Sequence, residues 1–209
     1  MPSRNITKIN DISIKKLNGC ILCRSNFYQS LDICDNINIT LKNGINKLMG
    51  GIDSGNWAVS YFLSMYCEAA KDDIILNEKP EITVNGLLID VKALSRMTVY
   101  IDPLHSLFTK NITIRKAISD GLEKSGINET VDSVKSLFQL DDERFERPIS
   151  GVGNEKYRAM SAIGYSYGKE IYCFPWFSKK RFDSLYYQLM GAAHFLESLG
   201  KVVILPVSD

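Results

Sequence analysis

Along the first fifty residues the apolar positions cluster in short runs rich in Ile and Leu, "DISIKKLNGCILCRS", "INITL" and "INKLM", broken by Asn-Gly or Lys-Asn-Gly. Such runs between turn formers predict β-strands. From Gly55 the period changes, with Ala58, Phe62, Leu63 and Met65 at helical spacing in "GNWAVSYFLSMYCEAA", and a helix is expected there. The segments "EITVNGLLIDV" and "MTVYI" predict a strand pair, followed by helices near 112–126 and 130–139. A turn-like "DDERFERPISGVG" leads to a helix of about 154–167, the strand "EIYCF", a long helix from about 178 to 198, and the buried strand "KVVILPV". The alternation after residue 45 predicts an α/β fold with a mostly parallel core sheet behind an antiparallel β layer.

Composition narrows the function classes. A chain of 209 residues that is 45% hydrophobic accommodates one well-buried core, so a single domain is expected. Its 25 basic and 24 acidic residues leave a net charge of +1 without a long block of either sign, which argues against nucleic acid as a partner. "MPSRNITKIND" lacks the apolar core of a signal peptide, and no apolar run approaches the roughly 18 residues that span a bilayer. The expectation is a cytoplasmic protein without direct membrane insertion, peripheral to a membrane only through a partner. The odd number of cysteines, five, fits reduced thiols. Cys20 and Cys23 form a C-x-x-C within a predicted strand, but no second pair at finger-like spacing completes a zinc site. His105 and His194 are far apart in sequence, and no metal is expected.

The stretch "LMGGIDSGNWAVSYFLS" has the outline of a phosphate-binding loop. Gly50 and Gly55 stand at P-loop spacing, after a predicted strand and before a predicted helix. Asn56 occupies the lysine position and Trp57 that of the magnesium-binding hydroxyl.

Further segments fall in register with this loop, and together they resemble the nucleotide-binding domain of ATP-binding cassette (ABC) proteins over nearly the whole chain. "NFYQSLDICDNINITLKNGINKLMGG" is similar to the family's opening, which puts Tyr28 at the adenine-stacking aromatic, with Phe27 as a substitute. "VYIDPLHSLFTKNITIRKAI" resembles the Q-loop segment, whose glutamine falls on Pro103, or on Asp102 with a one-residue shift. "ISGVGNEKYRAMSAIGYSYGKEIYCFPWFS" resembles the LSGGQ signature, its helix and the Walker B strand. Ser150 and Gly151 match the signature, Val152 replaces its second glycine and Gly153 its glutamine. Without a gap, the metal-organising aspartate becomes Cys173 and the catalytic glutamate Phe174, while the following proline is kept as Pro175. "GKVVILPVSD" resembles the switch strand, with Ser208 at the histidine position.

The resemblance implies a P-loop NTPase-like ABC ATPase fold. Its core and antiparallel layer would take residues 1–102 and 168–209, and a helical subdomain about 103–167. Vestigial nucleotide contacts would fall on Tyr28, Gly50, Gly51, Ser54, Gly55 and Asn56, and a partner-facing signature on Ser150 and Gly151. A neutral Asn56 forfeits most of a charge-assisted bond to phosphate, worth roughly 1.5–3 kcal/mol. Neither the indole of Trp57 nor the thiol of Cys173 is a hard oxygen ligand for Mg²⁺. Phe174 cannot act as a general base, a loss of roughly 10²–10⁴ in rate. The expected function is therefore a catalytically inactive ABC-type pseudo-ATPase that retains at most weak ATP or ADP binding without Mg²⁺. It would pair with an ABC ATPase, a permease or a biosynthetic enzyme subunit of an export, immunity or natural-product complex, or with a second copy of itself. The alternative is a nucleotide-independent scaffold, favoured by a Val152 side chain crowding a partner-bound γ-phosphate. Trp57 and Phe174 are expected to meet where Mg²⁺ and the γ-phosphate would sit. Ser150 is expected at a helix N-terminus, where backbone N–H groups favour phosphate.

Overall fold

The segment Val202–Val207 is buried at every residue, as a strand covered on both faces requires. It lies at the centre of a parallel sheet in the computed structural model, which describes residues 8–70, 72–108 and 111–209. In chain order the strands are β1 (Asp11–Arg24), β2 (Gln29–Lys42), β3 (Gly44–Met49), β4 (Ile74–Leu76), β5 (Glu81–Val84), β6 (Leu87–Leu88), β7 (Thr98–Tyr100), β8 (Ile171–Cys173) and β9 (Val202–Val207). The helices are α1 (Asn56–Met65), α2 (Val91–Arg96), α3 (Ile114–Ser125), α4 (Val131–Leu137), α5 (Asp142–Phe145), α6 (Lys156–Ser166) and α7 (Lys179–Ser198).

Strands β3, β9, β8 and β7 form the parallel sheet in that order, and β2, β1, β5 and β6 form an antiparallel sheet with β4 also paired to β1. The α/β fold with an antiparallel layer is therefore as the pattern predicts. Two local readings change. Asn18-Gly19 is no hairpin: β1 runs straight through it, with register shifts against β2 and Gly19 at φ 151°, so the pair forms a bulge that bends the strand. The strands of "EITVNGLLIDV" and "MTVYI" do not pair with each other, because β5 and β6 join the antiparallel sheet and β7 the parallel one.

Alternation along the parallel strands sends successive side chains to opposite faces. Val99, Tyr172, Phe174, Val203 and Leu205 pack with α3, α6 and α7 on one face. Tyr100, Ile171, Cys173, Val202 and Ile204 pack with α1 and the antiparallel sheet on the other. Caps set the helix ends between them. The Thr113 hydroxyl accepts from Lys116 N–H and opens α3, which Gly126 closes at φ 70°, and Thr130 and Ser133 form a capping box at α4.

Candidate functional site

Strand β3 ends at Met49 and α1 begins at Asn56, so residues 50–55 make the strand-to-helix loop that the sequence outlines. Gly55 adopts φ 80°, and a Cβ there would lie 2.6 Å from Cδ1 of Ile37 on β2. The left-handed backbone favours glycine here, and a side chain would also have to displace the end of Ile37. Gly50 donates to the Val207 carbonyl at 2.9 Å, tying the loop to β9.

The loop spends its polar groups on itself. Ser54 turns its hydroxyl to the Gly51 carbonyl at 2.7 Å. Asn56, at the lysine position, donates its amide to the Met49 carbonyl at 2.8 Å. A Cβ on Gly50 would meet both side chains within 2.9 Å, so the concave side of the turn holds Ser54 and Asn56. Above α1, Asp32 of β2 is fully buried and its Oδ2 accepts from the Ala58 N–H at 3.2 Å.

The residues at the chemical positions lie apart. Trp57 is fully buried and donates its indole N–H to the Tyr100 hydroxyl at 2.9 Å, which in turn donates to the Arg24 carbonyl at 3.0 Å. Phe174 points to the opposite face of the sheet, against Tyr157. The expected meeting of Trp57 and Phe174 does not occur, because strand alternation puts Phe174 with the α6 and α7 cluster and leaves Cys173 on the Trp57 side. Cys173 is buried facing α1, and burial pushes its thiol up against the favourable influence of Ser60 and Ser64. A protonated, enclosed thiol is a poor nucleophile. Ser60 is engaged as well, donating to the Phe174 carbonyl at 2.6 Å.

A different ring closes the site. Trp176, just after Pro175, is buried and donates its indole N–H to the Gly50 carbonyl at 3.0 Å. Tyr28 meets Trp176 edge-on at 5.3 Å and bonds the Ser178 hydroxyl at 3.1 Å. Its neighbour Phe27 lies under the Arg181 guanidinium, 3.4 Å from the ring centroid, a stacking that favours the cation over the ring face. Of the two glutamine candidates, Asp102 is buried and accepts from the Asn26 and Leu104 N–H groups, anchoring the tip of the β1–β2 hairpin. Pro103 instead lines a cavity of about 670 Å³ together with Asn26, Phe108, Ser150, Gly153 and Lys156. Ser208 donates its backbone N–H to the Phe177 carbonyl at 2.9 Å and its hydroxyl to Asp209.

The signature-like segment differs from expectation in one respect. Ser150 and Gly151 are exposed, but they sit in a 3₁₀ turn of Ile149–Gly151, and α6 starts only at Lys156. Ser150 is therefore not at the helix N-terminus; a second short turn, Gly153–Glu155, intervenes. Val152 is buried in the core and does not project toward the surface. Lys156 is half-buried, and burial lowers its pKa although the Asp102 charge opposes this.

Cys20 and Cys23 stand on opposite faces of β1, the first half-buried and the second enclosed. His105 is buried 3.4 Å from Glu68, its pKa pushed down to about 4 by burial against the Glu68 charge, while exposed His194 lies 3.1 Å from Glu197. Two residues that sequence reasoning passed over also reach this region: Trp176 bonds the Gly50 carbonyl and Asp32 the Ala58 N–H.

No family model matches the chain, and no curated protein matches it. Solved structures do. A putative ABC transporter ATP-binding protein from Pyrococcus furiosus is 15% identical with a TM-score of 0.57, over 95% of this chain and 90% of that one. The cbiO1 protein from Clostridium perfringens, part of the ABC transporter complex cbiONQ, is 14% identical with a TM-score of 0.58, over 97% and 80%. A bacterial Atm1-family ABC exporter with ATP bound gives 12% and 0.59, over 96% of this chain and 34% of the exporter. The chain thus has the fold of an ABC nucleotide-binding domain. Among the described residues no helix is long and apolar enough to cross a membrane.

Proposed function

We propose that this chain is a non-hydrolysing ABC-type domain that works as the silent member of a pair, its own loop closed while its signature-like segment faces a competent ABC ATPase. The observation that carries this reading is the contrast at the two motifs: the polar groups of the strand-to-helix turn are bonded within the chain, Ser54 and Asn56 to the Gly51 and Met49 carbonyls and Trp176 to the Gly50 carbonyl, whereas Ser150 and Gly151 stand exposed beside a cavity. The residues present do not fit a Mg²⁺-nucleotide. The positions that would hold the ion carry an indole engaged with Tyr100 and a buried thiol, and Mg²⁺ demands oxygen ligands in near-octahedral array. The partner would be an ABC ATPase or permease, as the placement of cbiO1 in a transporter complex illustrates for that protein.

The test is co-purification from the native host of wild type and Ser150→Arg at equal folded concentration, with the ATPase rate of the captured ABC ATPase measured. The expected result is a partner that binds the wild type and is lost, or slowed, with the variant. If capture and rate are unchanged, the nucleotide-independent scaffold replaces this reading. That second reading has lost the support of Val152, whose side chain points into the core.

A further inference from the structure

In a half-buried strand the apolar side chains normally face inward, yet over "SLDIC" strand β2 does the reverse. Leu31 is 57% and Ile33 71% exposed, while Asp32 between them is fully buried. A register with Leu31 and Ile33 inward would bury two aliphatic side chains and free a carboxylate. Something holds Asp32 inside.

What it meets there is the start of α1. This helix lacks the usual negative group at its N-terminus: its cap residue is Gly55, with no side chain, and its first turn holds no acidic residue. The first N–H groups of a helix have no intrahelical acceptor and carry the positive end of its dipole. The Asp32 carboxylate supplies the missing anion, with Oδ2 3.2 Å from the Ala58 N–H. Its other oxygen, Oδ1, is buried without a hydrogen-bond partner. An enclosed, ionised carboxylate with one oxygen accepting from a helix N–H offers what an oxyanion ligand offers, acceptors alone, supplied from within the chain.

We infer that Asp32 is the built-in ligand of an anion site at the start of α1, seated where the backbone of a phosphate-binding loop would take an oxyanion of a phosphate chain. The cradle keeps its affinity for oxyanions, and the chain fills it from its own strand. The site's occlusion thus lies in β2 as much as in the altered loop residues. Burial pushes the Asp32 carboxyl up to about 6, against the Ala58 N–H, the Ser30 hydroxyl and the Gly55 N–H, with the charge of Asp53 adding to the rise. The other titratable groups near it are Cys34 on β2 and Cys23 on β1. This inference rests on the reading of the chain as a non-hydrolysing ABC-type domain and says how its own site is kept closed.

The test is titration of wild type and Asp32→Ser with inorganic pyrophosphate, followed by calorimetry and by the amide resonance of Ala58. Serine removes the charge and opens the space. The expected result is saturable binding to Asp32→Ser at least tenfold tighter than any to wild type over the same concentration range, with the Ala58 amide among the shifted resonances. Equal binding by both proteins would overturn the inference, since the site would then not be blocked. So would the absence of binding to a folded Asp32→Ser. That last outcome overturns the inference alone, because the non-hydrolysing reading is decided separately by phosphate release. Should Asp32→Ser fail to fold, the wild type itself decides: the Asp32 carboxyl carbon and the Ala58 amide proton should titrate with a shared midpoint, and independent titrations would refute the contact.

Discussion

The two loops that resemble ABC motifs, 50–55 and 148–153, use their polar groups differently. In the first, the polar and aromatic groups within reach are paired inside the chain: Asn56 on Met49, Ser54 on Gly51, Trp176 on Gly50, Asp32 on Ala58. In the second, Ser150 and Gly151 face solvent beside a cavity with the half-buried Lys156 at its wall. On the proposed reading, the difference teaches that the absence of a lysine and a hydroxyl is only part of what would close a nucleotide site. Backbone donors of a strand-to-helix loop remain after the side chains change, and in this chain other residues occupy them.

If that contrast is right, substitutions in the first region should be costly to stability and those in the second nearly free. Trp57→Ala should have the largest effect. It removes a fully buried indole and the donor to Tyr100, and large-to-small changes of this kind cost about 3–5 kcal/mol. Urea unfolding reads this directly, and a loss below about 1 kcal/mol would mean that the region is not packed as described.

The next effect is one of pH. Asp32 has a folded pKa raised to about 6, so its contribution to stability is present at low pH and is lost as pH rises from the ordinary carboxylate range through about 6. Asp102, also raised by burial, acts in the same sense. His105 acts oppositely: with its pKa lowered to about 4, stability is lost as pH falls from about 6.5 through 4. Asp32→Asn should therefore make stability climb more steeply with pH than in wild type between about 4 and 6. The differential is up to about 3 kcal/mol for a two-unit shift. Parallel wild-type and variant curves would show that the carboxyl is not enclosed.

Trp176→Phe sharpens the comparison further. It keeps a ring against Tyr28 but leaves the Gly50 carbonyl without its indole donor, a loss of about 1–3 kcal/mol in chemical unfolding. Ser150→Arg stands at the bottom of the scale. Its exposed position in a 3₁₀ turn should hold the change within about ±0.5 kcal/mol, and a larger destabilisation would show that the segment serves the fold.

Much of this was legible in the sequence where local pattern and tertiary need coincide. The buried run "KVVILPV" is β9 and the helical spacing after Gly55 is α1, because burial on both faces and a 3.6-residue period leave few alternatives. What escaped was set by non-local packing. Asn18-Gly19 reads as a turn by its chemistry, but pairing with β2 and β4 carries β1 through it. Trp57 and Phe174 look like complementary losses when aligned to a motif, yet strand alternation sends Phe174 away from Trp57 and makes Trp176 the ring at the loop. Asp32 had a signal in the inverted pattern of "SLDIC", two aliphatics flanking one carboxylate, which becomes readable once β2 is known to pack over α1. Val152 stands at a glycine position of the signature, which predicts a side chain crowding a partner's phosphate, whereas two short turns carry it into the core.

The most direct test of the central claim is phosphate release from Mg²⁺-ATP by the isolated wild-type protein, purified to homogeneity and compared with Gly55→Asp. The account predicts no turnover above the buffer rate for either protein, since Trp57, Cys173 and Phe174 supply neither metal ligands nor a base. Turnover by the wild type that Gly55→Asp abolishes would place a working nucleotide site at this loop and contradict the account.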